Sequence, residues 1–218
     1  MRLTGLIVAT AMLAPRAAAA PAQEQTQTLF TESFEKPDET GTLPVGWTHF
    51  TALHTISLST EQVFEGKHSL KLVDEDPKQA VGLRSPHLKV APGQHCWVTW
   101  RYYGAKGSSQ SVYLEFWTAD GKRPSESGRS WPCRGTEQWI RGVARAKVPP
   151  EAATVTVHLN SYSTNVATGY FDDLEFGTGA KSMYDRTPRP PAEVTHPCGL
   201  YKSADLDRAK RNAAKHEW

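Results

Sequence analysis

Between residues 29 and 176 the chain runs in short stretches that alternate apolar and polar residues, each interrupted by Gly, Pro, Asp or Ser. A period of two is what a strand with one buried face requires, and the interrupting residues are turn formers. The stretches predict strands over residues 29–35, 47–51, 55–59, 69–73, 80–84, 96–103, 111–118, 138–146, 154–162 and 170–176. No stretch in this region keeps a helical period. Ten short strands with hairpin-length loops predict an all-β fold over residues 28–178, a two-sheet antiparallel sandwich of the jelly-roll type. Periodicity by itself leaves other sandwich topologies open.

Successive side chains of a strand point to opposite sides, so alternation also assigns faces. In 96–103, Cys96, Val98, Trp100 and Tyr102 form the inner set, and Trp97, Thr99, Arg101 and Tyr103 the outer one. Val112, Leu114 and Phe116 turn inward in the next strand, which sends Tyr113, Glu115 and Trp117 outward. In 154–162 the inner set is Val155, Val157 and Leu159, and Thr156, His158, Asn160 and Tyr162 face out. If these three strands share a sheet, Trp97, Arg101, Tyr103, Tyr113, Glu115, Trp117, His158 and Asn160 form one face of aromatic and hydrogen-bonding groups. Sugar rings stack their C–H faces on Trp and Tyr, and their hydroxyls need directional polar partners, so such a face suits a polysaccharide or oligosaccharide. The competing reading is structural: aromatic residues favour strands, and outward positions are often covered by a loop or a neighbouring domain.

Composition narrows the classes of partner. The 25 basic and 23 acidic residues of the 218 are scattered, giving a formal net charge of +2, which points to neither nucleic acid nor a membrane surface. Arg101, Arg129, Arg134 and Arg141 make acidic polysaccharides candidate ligands. Residues 1–22 read as a secretory signal, with Arg2 before an apolar stretch over 3–13 and small residues over 17–22, cleaved after Ala19 or Ala22. That stretch is shorter than the roughly 20 residues a membrane span needs, so the expected location is secreted or periplasmic. In that oxidising setting Cys96 and Cys133 are candidates for a disulfide, the alternative being that Cys96 is a small buried hydrophobe and nothing is bridged. No Cys-x-x-Cys or paired Cys/His spacing suggests zinc.

Three short motifs, Ser33-Phe34-Glu35, Pro44-Val45-Gly46-Trp47 and Glu65-Gly66-Lys67-His68-Ser69-Leu70, stand in that order. They are followed by Val90-Ala91-Pro92-Gly93, Gln138-Trp139, Val148-Pro149-Pro150-Glu151-Ala152 and Tyr170-Phe171-Asp172-Asp173-Leu174. Their sequence and spacing resemble the calcium-containing, galactose-binding-like jelly-roll carbohydrate-binding modules attached to polysaccharide-degrading enzymes. The resemblance implies a sugar-binding face and a structural calcium ion. Carried over by position, the ion would draw on Glu32 or Glu35, on carbonyls near residues 66–68 and on Asp172, a donor set suited to a cation that takes six to eight oxygens. The parity of Asp172 with Leu174 and Phe176 points it inward, where a cation would offset the cost of burying its charge. Asp74, Glu75 and Asp76, beside Pro77, read as a solvated loop.

Glu115, His158, Arg101 and Tyr113 could be assembled into a catalytic set, but no catalytic motif requires it: Gly-x-Ser-x-Gly, His-Glu-x-x-His and a phosphate loop are all absent. The expectation is a non-catalytic module. Beyond it, residues 179–197 form a Pro-rich linker, and 198–218 predict a helix capped by Ser203 with basic residues toward its end. Residues 196–218 resemble the start of the helical toroid of heparinase II/III-type polysaccharide lyases, which implies a following catalytic domain in a longer chain. A C-terminal tail docked on the sandwich is the alternative. Two functions remain in play: a module that holds a secreted protein on a glycan, and a spacer or protein-interaction domain without sugar affinity.

Overall fold

The structure is a computed structural model that describes residues 25–50, 55–107, 109–124, 128–135 and 137–181. The signal segment, nearly all of the linker and the C-terminal helix expected from the sequence lie outside these residues.

The described residues contain no helix and twelve strands. The first sheet runs β10 (Ile140–Lys147), β7 (His95–Gly107), β12 (Ala167–Thr178), β4 (Ser69–Asp74) and β3 (Ile56–Ser59), with β1 (Gln27–Glu32) also paired to β12. The second runs β2 (Thr48–His49), β5 (Val81–Arg84), β11 (Thr154–Ser161), β8 (Ser109–Trp117) and β9 (Arg129–Arg134), with β6 (Leu88–Lys89) also on β11. Every pairing is antiparallel. The fold is an antiparallel two-sheet β-sandwich.

The inner sets assigned by alternation fill the space between the sheets. Val98, Trp100 and Tyr102 of β7, Val112, Leu114 and Phe116 of β8, and Val155, Val157 and Leu159 of β11 belong to one buried apolar cluster. Two strands escaped the sequence pattern. β6 is only two residues long, and β9 carries Pro132, a residue that disfavours a strand; β9 is an edge strand, where a missing N–H need not interrupt a ladder.

Three expectations are corrected. First, β7 belongs to the first sheet while β8 and β11 belong to the second, so the three strands expected to build one outer face lie on opposite sides of the sandwich. Second, Trp97 keeps its outward parity but is 1% exposed. Its ring lies on Gly177, where an added Cβ would come within 2.2 Å of the indole, and its Nε1 donates to the Thr178 carbonyl at 3.2 Å. Third, Cys96 and Cys133 stand on different sheets, both buried, and form no disulfide with each other. Burial pushes the Cys133 thiol up to about 12, which leaves it protonated and unreactive.

A further correction concerns β12. The pairing with β7 slips between Asp172 and Glu175, and Asp173 has φ 45°. This bulge puts both Phe171 and Leu174 into the core, so Asp172 falls on the outer side with Tyr170 and is buried under the segment that carries Phe64 and Glu65. Parity counted back from Leu174 therefore fails at the inserted residue.

The buried position of Trp97 predicts that Trp97→Ala unfolds more easily by about 3–5 kcal/mol in urea titration. A variant of unchanged stability would return this side chain to an exposed role.

Candidate functional site

The outer face of the second sheet holds a cleft of about 230 Å³ lined by Phe50, Ala80, Tyr113, Glu115, Arg123, His158, Asn160 and Tyr162. Its register is set by the ladder: His158 stands opposite Tyr113 on one side and Arg84 on the other, and Thr156 opposite Glu115. One cross-strand row thus runs Arg84, His158, Tyr113.

Glu115 is the centre of the cleft's electrostatics. Its side chain is 3% exposed, yet it is met from two directions. Arg84 on β5 donates Nε to one carboxylate oxygen and Nη2 to the other at 3.2 Å, a two-pronged grip. Arg123 adds its Nη2 from the loop after β8. That loop is folded back by a tight turn: Thr118 N donates to the Lys122 carbonyl at 2.9 Å, and Lys122 N to Thr118 Oγ1 at 3.0 Å. The turn brings Arg123 over Trp117, with 5.3 Å from the guanidinium carbon to the ring centroid. Arg84 lies 5.5 Å from the same ring and 4.6 Å from that of Phe50. Trp117 is fixed in turn, donating Nε1 to Thr156 Oγ1 at 3.1 Å.

His158 packs beneath this assembly, its ring 5.0 Å from Phe50 and 6.3 Å from Tyr113. Only glycine fits below it, since a Cβ on Gly82 would come within 2.3 Å of His158 Nε2. With Nδ1 turned toward Glu115 at 3.8 Å, Nε2 is the nitrogen left for another partner. Among the described residues, His158 Nε2 and Asn160 Oδ1 are both buried without a hydrogen-bond partner. By contrast, Phe50 and Tyr162 at the cleft are 40% and 41% exposed. Burial, together with the burial-enhanced repulsion from Tyr113's neighbour Glu115, raises the Tyr113 phenol above its usual value, so it stays protonated.

Of the outer residues expected from sequence, Tyr113, Glu115, Trp117, His158 and Asn160 gather on this face. Arg101 and Tyr103 do not: they belong to the first sheet, where Arg101 lies 3.6 Å from Asp173 Oδ2 and 4.3 Å over the Phe64 ring, and Tyr103 packs on Trp139 and Tyr170. Arg141 pairs with Arg101 across that same sheet, and Arg129 and Arg134 sit on β9, so these four arginines form no common patch. Sequence reasoning missed Arg84, Arg123 and Phe50. Arg84 alternates with Gly82 and could have been assigned to the outer face; Arg123 is in a loop, where periodicity carries no signal.

The carboxylates proposed for calcium are engaged by N–H donors. Glu35 Oε1 accepts from Lys67 N and His68 N at 2.8 Å each, and Asp172 Oδ2 from Phe64 N and Glu65 N at 2.9 and 3.2 Å. Glu32 accepts from Phe34 N and Trp47 Nε1. Among the described residues no three His, Cys, Asp or Glu side chains converge as a metal site. A cation needs oxygens where this arrangement offers N–H groups, so the three residues as placed do not fit a calcium shell.

Comparison with solved structures adds to this geometry. A xylan-binding CBM22-1 domain of Xyn10C from Paenibacillus barcinonensis matches with TM-score 0.52 at 13% identity, covering 74% of this chain and 100% of that one. The fold is shared with carbohydrate-binding modules. A second xylan-binding domain of the CBM22 type matches with TM-score 0.52 at 15% identity, over 72% of this chain and 97% of the other. The CBM22-1–GH10 modules of a Clostridium thermocellum xylanase, solved with xylohexaose, match with TM-score 0.52 at 12% identity over 72% of this chain, which spans 29% of that structure. No family model matches the chain, and no curated protein does. Among the described residues no helix is long and apolar enough to cross a membrane.

His158 supplies a pH dependence. Burial is the main reason that its pKa falls from 6.5 to about 4; Glu115 opposes the fall, and the Arg84 and Arg123 charges add to it. The folded form therefore binds this proton less readily than the unfolded chain. The stability His158 contributes is complete above pH 6.5 and is lost as pH falls toward 4. Urea unfolding at pH 5 should lose roughly 2 kcal/mol through this residue relative to neutral pH. His158→Gln should show a correspondingly flatter dependence; identical slopes in the two proteins would contradict the burial account.

Proposed function

We propose that this chain is a non-catalytic carbohydrate-binding module, and that a glycan lies in the second-sheet cleft. The observation that carries the reading is the pairing of exposed rings with unpartnered polar atoms. Phe50 and Tyr162 offer apolar faces to solvent at the cleft, while among the described residues His158 Nε2 and Asn160 Oδ1 are buried there without a partner. Buried polar atoms normally have hydrogen bonds, and leaving them empty is costly. A sugar in the cleft would cover the rings with its C–H faces and bring hydroxyls to the polar edge where these atoms lie. Rigidity supports the same reading, since Glu115, Arg84, Arg123 and Trp117 hold one another in place before any ligand arrives.

The shared fold makes xylan and its oligosaccharides the first ligands to try, because the matching domains are xylan-binding. A secreted or periplasmic setting, and attachment to a catalytic domain beyond residue 218, complete the proposed role as a targeting module of a polysaccharide-degrading protein. The second reading, a spacer or protein-interaction domain, is favoured by a different feature: Phe64, Tyr103 and Trp139 form a mutually packed aromatic cluster on the opposite sheet.

Isothermal titration of the full chain with xylo-oligosaccharides separates the two. Phe50→Ala and Tyr162→Ala should each weaken binding about tenfold, the loss of roughly 1.4 kcal/mol of stacking, whereas Trp139→Ala should leave affinity within about twofold. Binding that is lost with Trp139 and kept without Phe50 would move the site to the other sheet. Absence of binding to any neutral or acidic polysaccharide would favour the spacer.

A further inference from the structure

Glu115 is the only carboxylate among the described residues lining the cleft, and its charge is already met by the two-pronged grip of Arg84. Arg123 then brings a second cation to the same carboxylate. Two positive groups against one negative leave a surplus, and exposure decides where that surplus is felt. The Arg84 side chain is 20% exposed and that of Arg123 is 44% exposed. A guanidinium has five N–H donors. Among the described residues, Arg123 uses only its Nη2 in a hydrogen bond, to Glu115, and rests its flat face on Trp117. Arg123 lines the cleft, and its other N–H donors take no hydrogen bond among the described residues.

A sugar hydroxyl takes one such donor at a time. A carboxylate takes two parallel ones in a single plane, the geometry Arg84 already shows with Glu115. We propose that the cleft prefers acidic polysaccharides, Arg123 receiving the carboxylate of a uronic acid unit while Phe50 and Tyr162 stack on adjoining units. The inference rests on the glycan-binding reading above and adds to it the chemical class of ligand. The surplus charge is partly solvent-exposed, so its attraction falls with ionic strength, whereas stacking on Phe50 and Tyr162 does not.

The test uses the full chain and a matched pair of probes: a uronic acid-bearing xylo-oligosaccharide and the same oligosaccharide with its carboxyl group reduced to an alcohol. Titration in low salt should give the acidic form about tenfold tighter binding, with the ratio shrinking toward one as salt is raised. Arg123→Gln should bring the ratio close to one at low salt, and Arg123→Lys should keep part of it, because charge is retained and the planar fork is lost. Equal affinities for the two probes in the unaltered protein would overturn the preference and leave the glycan reading standing. Binding of neither probe would overturn both. Should Arg123→Gln fail to fold, the paired titration of the unaltered protein and its salt dependence decide the matter without it.

Discussion

A carboxylate withdrawn from water must be compensated, and here the compensation organises a surface. Glu115 is nearly inaccessible, and breaking a buried pair by removing one partner typically costs about 3–5 kcal/mol. Arg84 reaches it from β5 and Arg123 from the loop beyond β8, so one acid ties β8 to β5 across the intervening β11 and to the loop that follows β8. Both guanidinium groups then lie against the Trp117 ring, and Arg84 also against Phe50. His158, held neutral beneath them, adds no third positive charge to the cluster. A rigid, mildly cationic floor follows from that single buried charge, with Phe50 and Tyr162 left as the exposed rings beside it.

The two outer faces of the sandwich are chemically different for a related reason. On the first sheet, Arg101 lies over Phe64 beside Asp173, while Tyr103, Trp139 and Phe64 fill one another's contacts. Those aromatic groups are largely covered by each other, although Arg101 Nε, like His158 Nε2 and Asn160 Oδ1, is buried without a hydrogen-bond partner among the described residues. On the second sheet, the charged groups hold one another firmly and leave the Phe50 and Tyr162 rings beside them 40% and 41% exposed. Exposed aromatic surface beside a fixed polar cluster is what a ligand can use, and that contrast in ring exposure is the ground on which we propose the second face for a glycan.

Much of the fold was legible in the sequence because strands write their burial as alternation. The inner residues of β7, β8 and β11 followed from it, and so did the outward parity of Tyr113, Glu115, His158 and Asn160. Sheet membership did not follow, since pairing is a non-local choice that leaves no mark on a strand's own period; this is why Trp97, Arg101 and Tyr103 were grouped with residues on the far side. Asp172 was misplaced by one extra residue, Asp173, which adopts a left-handed conformation that Asp tolerates without a telltale glycine. Arg123 could not be found by periodicity because its position is set by the turn at residues 118–122. The C-terminal resemblance to polysaccharide lyases concerns residues outside those described.

The most direct test is nuclear magnetic resonance of the 15N-labelled chain during titration with a xylo-oligosaccharide. The account predicts shift changes concentrated in the amides of β8, β11 and the segment around Arg123, together with Phe50 and Tyr162, while β7, β10 and β12 stay unperturbed. Changes confined to the strands around Tyr103 and Trp139 would contradict it and place recognition on the opposite sheet.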